Sequence, residues 1–191
     1  RLFFLQLNGD LYNGCNTYLK TNDNFSNSTQ LTASAWINLN SYQAEGSEPG
    51  IIVTSPGPAK TDEEGAWMLY LKDGKYPAFR CKEIIGGAGR GENGGAYIAT
   101  IVSPDAITTT SDVYPINSNL TYSQNWVHIA ATVNNNVVSL YVNGELKART
   151  TNTNAVDIRM ATTEHPVWVG VNPNGGLHAQ DYIHAGIKED R

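Results

Sequence analysis

Residues 126–150, WVHIAATVNNNVVSLYVNGELKART, decide the fold. Val127, Ile129, Ala131 and Val133 alternate with Trp126, His128, Ala130 and Thr132, so a period of two puts the first set on one face of a strand. Asn134-Asn135-Asn136 breaks the alternation, because Asn accepts the left-handed backbone that a tight loop needs. Val138, Leu140 and Val142 then alternate with Val137, Ser139 and Tyr141. Asn143-Gly144 is the strongest short-range hairpin signal, since a type I′ turn needs positive φ at both central residues. Past this turn, the alternation places Leu146 and Ala148 opposite Glu145, Lys147 and Arg149. The stretch reads as three antiparallel strands with one apolar and one wetter face.

The same pattern extends outward in both directions. Leu2–Leu7, Thr17–Lys20, Leu31–Leu39, Gly50–Ser55, Ala66–Lys72, Tyr76–Lys82 and Tyr97–Ser103 read as strands before the meander. Val167–Val171 and Tyr182–Ile187 follow it. Residues 21–30 are almost all Asn, Ser and Thr and read as a loop. Asp73-Gly74 is a second hairpin signal, and Pro77 just beyond it points to a sheet edge or a strand start. Trp36, Trp67, Trp126 and Trp168 all fall within these runs, and most of them, Trp36 included, are expected in the core. About a dozen short strands without a helical period give an all-β class, a sandwich or a barrel. With no internal repeat and no dividing linker, residues 1–191 are expected to form a single domain. The chain opens at Arg1 without an initiator Met, which reads as a piece of something longer.

Composition removes several classes of function. The formal net charge is −5, only 16% of residues are charged, and no run of Lys or Arg provides the basic stripe that nucleic acid requires. No apolar stretch is long enough for a transmembrane helix, and no signal peptide is legible. Abundant Asn, Thr, Ser, Gly and Tyr with sparse Lys and Glu suit an extracellular or cell-surface setting. Three sequons, beginning at Asn24, Asn27 and Asn119, are candidate glycosylation sites. Cys15 and Cys81 leave two readings open: a disulfide closing a long loop, worth about 3–4 kcal/mol by chain entropy, or two buried thiols.

The motifs in order resemble one family. Leu5-Gln-Leu-Asn-Gly9 with Thr17-Tyr-Leu19, then Leu31-Thr-Ala-Ser-Ala-Trp-Ile-Asn38, resemble the opening strands of LamG-like jelly-roll domains of the concanavalin A-like lectin/glucanase superfamily. Trp126-Val-His-Ile-Ala130 with Leu140-Tyr-Val-Asn-Gly-Glu145 is similar to the family's central hairpin, and Pro166-Val-Trp-Val-Gly170 to a late strand. The resemblance implies a jelly roll made of two antiparallel sheets. Many members hold a calcium ion through loop oxygens, which makes Asp10, Asp62, Glu63 and Glu64 candidate ligands here; the other reading is that they are solvated turn acids and that the chain has no cofactor. The family's late Asp is replaced here by Lys188, which departs from the pattern at that position.

Glucanase relatives carry carboxylates in alternation along one strand, where a nucleophile and a general acid flank the glycosidic bond. Here Glu45, Glu48, Asp62, Glu63 and Glu64 lie in loops, so no enzymatic activity is expected. Gly89-Arg-Gly-Glu-Asn-Gly94 has the spacing of a dinucleotide fingerprint but is followed by a strand, whereas that fingerprint needs a helix N-terminus to receive the phosphates. The expected role is a non-catalytic module that binds a glycan or an extracellular protein through edge loops. Arg90, Asn93, Tyr42 and Tyr114 are its candidate contacts. The alternative is a structural subunit of a filament, coat or other large assembly with no small ligand.

Overall fold

A computed structural model describes residues 4–6, 19–24, 29–39, 50–55, 67–82, 98–108, 126–151, 166–170 and 185–188. Twelve strands run through them: β1 Phe4–Gln6, β2 Leu19–Asn24, β3 Gln30–Leu39, β4 Gly50–Ser55, β5 Trp67–Lys72, β6 Tyr76–Lys82, β7 Ile98–Val102, β8 Val127–Asn134, β9 Val137–Val142, β10 Glu145–Thr151, β11 Pro166–Val169 and β12 Ala185–Lys188. They form two six-stranded antiparallel sheets. Sheet A has the order β1-β12-β3-β8-β9-β10 and sheet B the order β2-β11-β4-β5-β6-β7.

The alternation of residues 126–150 produces this arrangement directly. Ile129, Ala131 and Val133 on β8 face the core with Val138 and Leu140 on β9 and Ala33, Ala35, Ile37 and Leu39 on β3. Sheet B meets them with Ile52, Trp67, Leu69, Leu71, Phe79, Cys81, Ala99 and Ile101. Among the described residues, Phe79 is the largest side chain fully withdrawn from solvent. The turns use the residues that their geometry demands. Asn143 and Gly144, at φ 51° and 80°, form the two-residue β9–β10 turn, and Asp73 and Gly74, at 51° and 66°, open the β5–β6 turn. Pro77 is the second residue of β6, which lies between β5 and β7, so it marks a strand start and not an edge. Its carbonyl accepts the Ser103 N–H at 2.8 Å.

Four sequence expectations are corrected. Trp36 is not in the core: it has the opposite parity to Ala35 and Ile37, and it stands half-buried on the outward face of sheet A. Trp126 lies just before β8 and is half-buried, and Trp168 is half-buried against the edge of the core, whereas Trp67 is buried as expected. The strand expected at Thr17–Lys20 instead runs from Leu19 to Asn24, because pairing with β11 recruits the polar stretch Thr21–Asn24. Last, β10 carries a bulge: Leu146 pairs with Tyr141 and Ala148 with Leu140, leaving Lys147 extra. One inserted residue reverses the parity of everything before it. Leu146 therefore shares the outward face with Tyr141 and is 45% exposed, while Ala148 packs on the core.

Candidate functional site

The loop contacts Arg90, Asn93, Tyr42 and Tyr114, the carboxylates Asp10, Asp62, Glu63 and Glu64, the sequon residues Asn27 and Asn119, and Cys15 lie outside the described residues. Asn24 is the last residue of β2, at the register position of Pro166. Cys81 is buried in the core near the end of β6. Among the described residues, no three His, Cys, Asp or Glu side chains converge where they could hold a metal. Among the described residues, the strands present two outward sheet faces and, between edge strands β7 and β10, a rim.

The outward face of sheet B is closed where β5 and β6 cross it. Met68, Tyr70 and Ala78 have the parity opposite to the core, yet all three are buried as a second apolar cluster with Val102 packed against them. The outward face of sheet A is built differently. Register fixes its rows. Trp36 stands across from His128, and Lys188 takes the next position on β12. Ser34, Ala130, Tyr141 and Leu146 form the second row, and Thr32, Thr132, Ser139 and Arg149 the third.

Several contacts order this face. The Trp36 and His128 rings lie 5.1 Å apart between centroids at 43°, within the range of an attractive tilted pair. The Asn143 side-chain Oδ1 accepts the His128 N–H at 2.9 Å, and the Asn143 N–H donates to the His128 carbonyl at 2.8 Å. Arg149 Nε donates to the Ser139 hydroxyl at 3.1 Å, which orients an exposed guanidinium over the third row. Half-buried Trp36, His128 and Tyr141, with small Ser34 and Ala130 beside them and exposed Thr32 and Arg149 in the next row, make this face amphipathic.

The rim is an ion-paired corner. Ser103 accepts the Asp105 N–H and donates to its carbonyl, shaping the chain after β7 so that Asp105 reaches the opposite sheet. There Lys147 Nζ, placed by the bulge, lies 3.0 Å from Asp105 Oδ2 and 2.9 Å from Glu145 Oε2. The bonds to Glu145 first and Asp105 second hold the ammonium above its ordinary pKa of 10.5. A lysine between these two carboxylates supplies the cation they would otherwise attract, so the corner is a fastening between sheet edges.

The laminin G family model (Laminin_G_3), described as concanavalin A-like lectin/glucanases superfamily, matches residues 13–189. The chain belongs to this superfamily. No curated protein sequence matches it. Among solved structures, it is similar to the heptameric SAP-like pentraxin from Limulus polyphemus (TM-score 0.58, 14% identity, 95% of this chain and 71% of that one). It is also similar to the CBM40 of the Ruminococcus gnavus IT-sialidase bound to alpha2,3 sialyllactose (0.54, 15%, 83% and 73%). A third similar structure is the binding domain of Paraclostridial Mosquitocidal Protein 1 (0.52, 20%, 98% and 41%). The chain thus spans less than half of that binding domain. At these identities the concanavalin A-like relatives share the fold, and the residues on the outward faces must be read from this chain itself.

Leu146 escapes a reading by sequence alone because the bulge that moves it outward leaves no residue signature, whereas the alternation already sets Tyr141 and Arg149 on the wetter face. Trp36 was findable: strict alternation through Leu31–Leu39 puts the odd-numbered residues inside and Trp36 out.

Proposed function

We propose that this chain is a non-catalytic recognition module, acting at the cell surface or outside the cell, that binds a glycan on the outward face of sheet A. The observation that carries this reading is the face itself: half-buried Trp36, His128 and Tyr141 in rows beside the Thr32 and Thr132 hydroxyls and the Arg149 guanidinium. Sugars are recognised by that combination of apolar platform and directional polar groups. The fold similarity to a sialyllactose-bound CBM40 supports the ligand class. The twelve strands carry Asp or Glu only at Asp23 and Glu145, so none offers the alternating pair that glycoside hydrolysis uses.

The assembly-subunit reading is less well supported. The bulge and the charged Glu145 and Lys147 sit on edge strand β10, and such features discourage strand pairing between molecules. Calcium, through Asp10 and the Asp62-Glu63-Glu64 loop, belongs to the proposal as an accessory to binding. A glycan array probed with the purified protein, in calcium and in EGTA, tests the reading. Binding to a defined glycan set is expected, and loss of the signal in EGTA would assign calcium a part. An array without hits would refute the glycan reading in favour of a protein partner or an assembly role.

A further inference from the structure

The β9–β10 turn solves one problem by creating another. Two positive φ angles in succession favour Asn-Gly, and nothing lies within 4 Å of where a Gly144 Cβ would stand. Gly144 is there for its backbone angle, not for want of space. The same dipeptide is chemically the most vulnerable in a protein, because a Gly amide nitrogen meets no side-chain hindrance when it attacks the preceding Asn. Both residues are exposed, so burial cannot protect them.

We propose that Asn143 is a deamidation site masked by the native hairpin and opened when the hairpin loosens. In the reaction the Gly144 nitrogen forms a bond to Asn143 Cγ, the bond from Cγ to the side-chain nitrogen breaks, and ammonia leaves. Water then opens the succinimide at either carbonyl, giving Asp or isoaspartate. In the native turn Oδ1 is engaged by the His128 N–H at 2.9 Å and the Asn143 N–H by the His128 carbonyl at 2.8 Å. The side chain must leave His128 before Cγ can turn to Gly144. The two products then differ in kind. Asp retains an oxygen for the His128 N–H and the same backbone. Isoaspartate adds a methylene to the backbone of a two-residue turn, which the Val142↔Glu145 register cannot absorb.

Peptide mapping by mass spectrometry tests this on the whole chain, aged in mildly alkaline buffer with and without denaturing urea. Asn8, Asn13, Asn93 and Asn174 also precede Gly and serve as sequence-matched references. Asn143 should convert about tenfold or more slowly in the native protein than in urea, in proportion to the small population of opened hairpin. Equal rates with and without urea would overturn the proposal. Slow conversion in both would overturn it too, since the dipeptide and not the turn would then be responsible. Hydrogen exchange adds a second readout: the His128 amide should stay protected in Asn143→Asp and lose protection in the isoaspartate form. Protection in both forms would remove the claimed difference between the products.

Discussion

The two sheets present unlike backs to the outside. On sheet B, β5 reads WMLYLK and is buried through Tyr70 and Leu71 on both faces, so Met68 and Tyr70 belong to a second apolar cluster. On sheet A, β8 reads VHIAATVN and alternates cleanly between buried and half-buried, so its outward row stays open to contact. Period-two alternation marks which residues face the other sheet. It does not tell whether the opposite face is wet, and that difference separates a closed face from one able to meet a ligand.

Truncation breaks or sustains this comparison most directly. Tyr70→Ala removes a buried ring from sheet B's outward cluster and should cost about 3 kcal/mol, as core aromatic truncations do. Tyr141→Ala, at a half-buried position on the outward face of sheet A, should cost under about 1 kcal/mol. Urea unfolding of the two variants checks the pair, and equal losses would erase the distinction drawn between the faces.

The next effect concerns the turn that organises sheet A. Asn143→Ala forces a Cβ-bearing residue without a side-chain acceptor into positive φ and releases the His128 N–H, for an expected loss of about 1–2 kcal/mol. Asn143→Asp should cost much less, because the acceptor remains. Thermal melts of both variants side by side give the answer.

Smaller still is the rim. The folded-state pKa of Lys147 is raised, so its contribution is complete below the ordinary lysine value and fades as pH climbs through the higher folded value. Wild type and Lys147→Met should therefore keep a constant, modest stability difference from neutral pH up to the lysine range and converge above it. A difference that grows with alkaline pH would reverse the sign. The smallest effect is expected at Leu146, where Leu146→Thr on the exposed outward face should change stability by no more than about 0.5 kcal/mol.

The strands with dense apolar alternation and Asn-Gly or Asp-Gly turns were legible from residues alone. The run Gly50–Ser55 matches β4 at both ends, and Tyr76–Lys82 matches β6. What escaped were features decided by pairing partners. Thr21–Asn24 has loop composition yet joins β2, because β11 supplies its hydrogen bonds. The β10 bulge follows from how β9 and β10 are registered, and moving Leu146 outward assembled a surface that no motif announces. Trp36 is large and apolar, yet its parity and not its size sets it on the outward face. The loop residues expected to form the site, Arg90 and Asn93 among them, fall outside the described residues, and the outward face of sheet A is a further candidate that the motifs do not announce.

The measurement that bears most directly on the account is a binding titration of the strongest array glycan against wild type, a Tyr141→Ala/Arg149→Ala variant and Thr100→Ala. Thr100 is an exposed residue of edge strand β7 in sheet B, outside the proposed face. The Tyr141/Arg149 variant should bind at least about tenfold more weakly, the loss expected for one stacking and one charge-assisted contact. Its melting temperature should stay near wild type, and Thr100→Ala should bind normally. Undiminished binding by the Tyr141/Arg149 variant would contradict the assignment of recognition to the outward face of sheet A.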